Sequence, residues 1–357
     1  MIRKKLAALF MAAILVMVCL DGCGPSKASG SDKMLNILVW EGTWSEDAIR
    51  DFEKENGVKV NISYIDNTDI IISKLVAGDA DFDVIDIEAA YVKSFVENDL
   101  LMKLDNDSLP NKKDMLEELK TGTDGDEKEE YTCPNMAPQY TGIIYNKETC
   151  PIEIKEFKDL ANPALKGQVA MVNSTISLYG AALEALGYKA DSTNEKEIEE
   201  ANELLKDIKK NVKAFVGETA VSQLENGECS VALCWDYATL CNDTKENWDK
   251  FDMVDIPSGC ERFIQYWGIT AGSERSELAQ KFINFMISPE ALAKDYEEFG
   301  MVPMLERDVI EPKLTDGYYD NPAIEKYKTL YDKSWMVSVS DEQINLIDGY
   351  YTELMGE

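Results

Sequence analysis

Histidine is missing from all 357 residues. That removes the commonest general base, the commonest zinc ligand, and every Ser-His or Cys-His nucleophile pair. None of the eight cysteines forms a C-x-x-C pair, which argues against a zinc centre or a dithiol redox centre. No G-x-S-x-G elbow marks a hydrolase nucleophile. Positive charge is scarce: 36 Lys and Arg stand against 67 Asp and Glu, a net charge of −31. A surface of that sign argues against nucleic acid or an anionic membrane as a partner and favours cations nearby. These absences predict a protein that is not an enzyme and that carries neither cofactor nor metal.

The first residues do carry positive charge. Arg3, Lys4 and Lys5 precede an apolar run over residues 6–20. At 15 residues the run suits a secretory signal, since a membrane span needs roughly 20. Its ending, Leu20-Asp21-Gly22-Cys23, resembles a bacterial lipobox that would lipidate Cys23. Residues 1–22 are then the signal and residues 23–33 a small, polar tether. Removing the signal takes away three basic residues and one acidic one, moving the charge from −31 to −33. Cys133 and Cys150 bracket an expected hairpin and can bridge in an oxidising compartment, whereas Cys234 reads as a buried thiol.

The mature chain is about 335 residues, enough for two domains. Residues 35–39 form a short apolar strand that stops on Trp40-Glu41-Gly42-Thr43-Trp44. Ser45 suits the N-cap of a helix that ends at Asn56-Gly57. A strand over 58–64, a helix over 68–77 and a strand over 82–87 complete a β-α-β-α-β order, hence a parallel sheet with right-handed crossovers. Ligands of such sheets lie beyond the carboxyl ends of the strands, where Trp40, Glu41, Trp44, Glu88 and Tyr91 gather. Residues 131–138 and 141–146 read as a pair of strands crossing into a second lobe. The Asp-rich stretch 121–126 lacks EF-hand spacing and reads as a solvated loop. In the second lobe Ser174 and Ser177 stand at a helix start, and the buried strand 231–235 ends at Trp235-Asp236. Residues 263–270 cross back. The expected fold is α/β, with lobe 1 built from residues 34–138 plus 267–312 and lobe 2 from 139–266 plus 313–357.

In this order the chain resembles the spermidine/putrescine-binding proteins of bacterial ABC importers. The stretches that carry the resemblance are LNILVWEGTW at Leu35, DFEKENGVKV at Asp51, FDVIDIEAAYV at Phe82, LANPALKGQVAMV at Leu160, NGECSVALCWDYA at Asn226 and LAQKFINFMISPEALA at Leu278. The helix-rich stretch from Glu184 to Phe215 matches as well. The resemblance implies a two-lobed, hinge-closing periplasmic-binding-protein fold with an interlobe ligand cleft. It implies a monomer on the outer face of the membrane, or in the periplasm, that hands a small amine to a permease. Trp40, Trp235 and Tyr91 match aromatic walls of the family pocket, and Phe263 stands where the family has a tryptophan. The family's amine-clamping acids appear here as Ser174, Ser177 and Gln265, and Met301 and Met336 replace a pocket tyrosine and glutamine. Aromatic faces attract ammonium groups and carboxylates clamp them, so Glu41, Glu88 and Asp236 are the replacement acids to examine. Trp248 and Trp267 read as structural. Should those acids face away, the same receptor would instead take a neutral heterocycle or a sugar. A sensor reporting to a kinase would share the fold, and a paired-carboxylate hydrolase is the remote alternative.

Overall fold

The computed structural model describes residues 33–356, apart from 41, 66–67, 79, 121–125, 127–128, 218, 236 and 337–339. The expected signal and the expected tether, Cys23 included, lie outside the described residues except for Lys33. Strand β1 (Met34–Val39) leads into the helix Glu46–Asn56, β2 (Lys59–Tyr64), the helix Thr68–Ala77 and β3 (Val84–Glu88). β1 pairs in parallel with both β2 and β3, as the β-α-β order predicts. β4 (Thr132–Pro134) and β5 (Gln139–Asn146) follow, then β6 (Val169–Val172), β7 (Val212–Val216) and β8 (Val231–Cys234). The last strands are β9 (Phe251–Met253), β10 (Glu261–Phe263) and β11 (Gln265–Ile269).

Among the described residues these strands build two sheets. The first is ordered β2-β1-β3-β11-β4, and the second is ordered β10-β5-β8-β6-β7, with β9 also paired to β5. The second sheet is covered on both faces, and β8 shows why its sequence is apolar throughout. Val231 and Leu233 join a core with the helices Thr175–Leu186 and Glu195–Lys209. Ala232 and Cys234, pointing the other way, join a core with the helices Tyr237–Asp243 and Pro322–Leu330. Period-two alternation with both faces dry leaves no place for a polar residue. The first sheet packs its own core around Phe52, Phe95, Trp267 and Phe282, all fully buried.

The chain passes from one sheet to the other between β4 and β5, and returns at Ile264 between β10 and β11. The stretches 131–138 and 141–146 are therefore not partners. β4 pairs with β11 in the first sheet, and β5 pairs with β8, β9 and β10 in the second. Alternation marks a strand without naming its neighbour, and Pro138, which has no N–H to donate, stands in the crossing. For the same reason Cys133 on β4 and Cys150, just after β5, are not brought together across a hairpin, and both are free thiols. Asp126 also departs from the solvated-loop reading. It is buried, and its carboxylate accepts the N–H groups of Glu130, Tyr131 and Thr132 and the Thr132 hydroxyl.

One buried charge fixes the start of the first sheet. Asp83 is fully buried, accepts the Asn36 N–H of β1 at 2.8 Å and the Ser273 hydroxyl at 2.6 Å, and meets Arg275 Nε at 2.9 Å. Removing the cation leaves an uncompensated buried carboxylate, which costs about 3–5 kcal/mol. Arg275→Ala is expected to lower the urea midpoint accordingly. Adding Asp83→Asn should recover part of the loss, because a neutral amide needs no counter-charge.

Candidate ligand site between the sheets

The site begins where β1 ends. Gly42 takes φ +75°, a left-handed turn that glycine adopts without strain, and the Thr43 hydroxyl donates to the Trp40 carbonyl at 2.8 Å. Ser45 precedes the helix Glu46–Asn56 as expected but makes no side-chain cap; its N–H goes to the buried Asp295 Oδ1 at 2.8 Å. Trp44 folds inward against Trp267, with ring centroids 4.4 Å apart, and its Nε1–H donates to Asp86 Oδ2 at 3.1 Å. Asn135 Nδ2 donates to Asp86 Oδ1 at 2.8 Å, and the Trp40 backbone N–H bonds the same carboxylate. Burial still outweighs these three donors and pushes Asp86 up to about 7.

Two residues further along β3, on the same face, stands Glu88. In the antiparallel register Gln265 lies opposite Glu88, and Trp267 lies opposite Asp86. Desolvation pushes Glu88 up to about 7, with the charges of Glu261 and Asp86 adding to the effect. Glu261 comes from the other sheet. It lies opposite Thr141 on β5, accepts that hydroxyl at 2.7 Å, and is also hydrogen-bonded by Ser177; burial raises its pKa. The Ser177 and Ser174 hydroxyls are 3.0 Å apart, and Ser174 Oγ accepts the Ser177 N–H as the cap of the helix Thr175–Leu186. Glu88 of the first sheet thus feels the charge of an acid from the second, near where the chain crosses. Among the described residues no Lys or Arg pairs with Asp86, Glu88 or Glu261.

Of the residues expected at the site, Glu88, Ser174, Ser177 and Gln265 come together in this way. Trp40 is partly buried against the first core, and its Nε1 has no partner among the described residues. Trp44, at 7% exposure, packs its ring on Trp267 and donates to Asp86, so it also positions a carboxylate. The Trp40–Trp44 turn also borders a cavity of about 360 Å³ shared with Val39, Ile62, Tyr64 and Phe299, which none of the three acids lines. Tyr91 lies on the helix Ala89–Glu97, partly buried on the first core, and Trp235 is partly buried on the second. Phe263 belongs to β10 of the second sheet yet packs on the first core. Gln265 is buried, and its Oε1 has no donor. Glu41 and Asp236 lie outside the described residues. The reading from sequence missed Glu261 and Asn135. Glu261 had a signal, since period two puts it on the face of Phe263; Asn135 had none, because its role comes from a crossing that joins two sheets.

Two α/β lobes joined by crossing strands, with a polar site at the crossings, define a receptor that holds a solute between lobes. The chain belongs to the bacterial extracellular solute-binding protein family, whose sequence pattern matches residues 47–326. It is 29% identical over 300 residues to a putrescine-binding periplasmic protein of Pseudomonas aeruginosa, covering 78% of this chain and 81% of that one. A spermidine/putrescine-binding periplasmic protein of Salmonella typhimurium is 25% identical over 93% of this chain and 94% of its own. Among solved structures, a lipoprotein of Treponema pallidum superposes with a TM-score of 0.77 at 22% identity, over 90% of this chain and 99% of that one. A spermidine/putrescine ABC transporter substrate-binding protein of Streptococcus pneumoniae gives 0.74 at 17% identity, over 91% and 99%. The protein is thus an extracellular solute-binding protein that works outside the cytoplasm, in a family of solute-binding proteins rather than enzymes. No helix among the described residues is long and apolar enough to cross a membrane.

The raised acids set a pH dependence. Asp86 and Glu88 hold their protons to about pH 7 in the folded state, against 3.8 and 4.5 ordinarily. The folded protein therefore binds more protons than the unfolded one between those values, and these groups lower stability as pH rises from about 4 through 7. Urea unfolding of Glu88→Gln should show the variant gaining on the parent protein between pH 5 and pH 8. A difference that is flat over that window would contradict the assignment.

Proposed function

We propose that the protein captures a small cationic ligand, a polyamine or a related amine, between its lobes and delivers it to an ABC permease. The observation that carries this reading is the negative charge that Glu261 adds at Glu88, two carboxylates from different sheets with no Lys or Arg paired to either among the described residues. An ammonium placed between them removes the repulsion and supplies charge-assisted hydrogen bonds to both. Ser174, Ser177 and Gln265 stand where relatives' acids were expected, and Glu261 returns an acid to the site from another direction. The neutral-ligand alternative therefore loses the argument from missing carboxylates. The two names carried by the relatives, putrescine-binding and spermidine/putrescine-binding, agree with a cationic ligand.

The reading extends to the rest of the chain. The two lobes close on the ligand, and the receptor works as a monomer. The basic start, the 15-residue apolar run and the ending at Cys23 support a lipid anchor, with residues 23–33 as the tether to the membrane face.

Thermal-shift measurement on the mature protein tests the ligand class. Putrescine or spermidine at 100 times its dissociation constant should stabilise the protein by about 2.7 kcal/mol, whereas glucose should leave it unmoved. Glu88→Gln combined with Glu261→Gln should abolish the shift. Stabilisation by an uncharged compound and by none of the amines would overturn the reading.

A further inference from the structure

Two amide side chains beside Glu88 are left incomplete. Asn135 is 1% exposed, its N–H donates to the Gln265 carbonyl at 3.1 Å, and its Nδ2 donates to Asp86. With the NH2 committed to Asp86, the carbonyl Oδ1 is turned the other way, buried and without a donor among the described residues. Gln265 is 5% exposed, and its Oε1 is likewise buried without a donor. Gln265 stands directly opposite Glu88 in the strand register, so their Cβ atoms are about 4.5–5.5 Å apart on one face. Asp86, two residues from Glu88 on that face, holds Asn135 there. Asp86 itself is fully engaged by Trp44, Asn135 and the Trp40 N–H, while Glu88 has no hydrogen-bond partner among the described residues.

Buried acceptors without donors are rare in folded proteins, and two on one face beside an unpaired carboxylate call for a common explanation. We infer that the Glu88 carboxylate, Gln265 Oε1 and Asn135 Oδ1 form a subsite for a primary ammonium group, and that Asn135 is a specificity-determining residue of the receptor. A primary ammonium carries three N–H donors and no acceptor, which matches one carboxylate and two amide oxygens. A lone carboxylate would attract any cation, quaternary or primary, by charge alone. The two neutral oxygens make the difference: a quaternary ammonium has no N–H and leaves both unsatisfied as it displaces water. Sites built to hydrogen-bond a group reject analogues that lack it far more strongly than apolar pockets reject a missing methylene. Both amides stand at the crossings between the sheets, Asn135 just after β4 and Gln265 just after Ile264, so parting of the lobes opens the way to them.

This inference rests on the cationic reading and is tested so that the two can fail separately. Isothermal titration of the mature protein compares putrescine with its bis-trimethylammonium counterpart. The parent protein should prefer putrescine by about 100-fold or more, and Asn135→Ala and Gln265→Ala should each reduce that preference by about tenfold or more, through weaker putrescine binding alone. Gln265→Ala breaks no side-chain hydrogen bond, so it remains informative should loss of the Asn135–Asp86 bond impair folding. Equal binding of the two compounds by the parent protein would overturn the inference and leave the cationic reading standing. Parallel loss of both compounds in the variants would reduce the amides to a structural role and overturn it too. Binding of neither compound at millimolar concentration would overturn both readings.

Discussion

A carboxylate taken out of water has to be answered by donors or by a cation, and this protein answers nearly all of its buried acids locally. Asp83 has Arg275, Ser273 and the Asn36 N–H; Asp126 has three backbone N–H groups and a hydroxyl. Asp86 has Trp44, Asn135 and the Trp40 N–H. Glu88 is different: it is half-buried, its carboxylate has no donor among the described residues, and two more negative charges act on it. In a chain with 67 acidic residues, a carboxylate has to be judged by its company rather than by its presence. That contrast separates a recognition group from a structural one.

The architecture explains how such a contrast is kept. Glu88 ends a strand of the first sheet, and Glu261 begins a strand of the second. Only one residue, Ile264, separates β10 from β11, so the chain itself holds the two acids near each other. The Ile264 carbonyl also accepts the N–H of Ala89, which follows Glu88, so the end of β3 is tied to the same crossing. Trp44 and Trp267 stack beneath Asp86, giving the polar groups an incompressible floor. On the proposed reading, a bound ammonium would be the third body that lets the lobes close without repulsion. Ligand capture and lobe closure would then be driven by one electrostatic term.

Much of this was legible in the sequence. The β-α-β-α-β order, the helix ending at Gly57, the Ser174 cap and the dry strand 231–234 all follow from local signals that one segment carries by itself. Glu88 was placed at the rim because it ends an apolar run. The pairing of residues 131–138 with 141–146, the bridge between Cys133 and Cys150 and the solvated reading of Asp126 all failed for one cause. Each depends on which distant segment lies alongside, and alternation, spacing or charge carries no such information. Tryptophan beside an acid suits both a pocket and a core, and Trp44 shares in each: it packs on Trp267 and borders the cavity at the Trp40–Trp44 turn.

Sequence alone determined that the first residues are basic and then apolar, that no histidine chemistry is present, and that the chain folds as alternating strands and helices in two lobes. Those properties reside in composition and short-range periodicity, which act within about 20 residues of chain. The tertiary structure alone decided which acids face one another, that Asn135 turns its carbonyl away from Asp86, and that Gln265 stands opposite Glu88 without a donor. These are properties of register and of the crossings between sheets. They join residues 49, 130 or 173 positions apart, and so no local pattern records them.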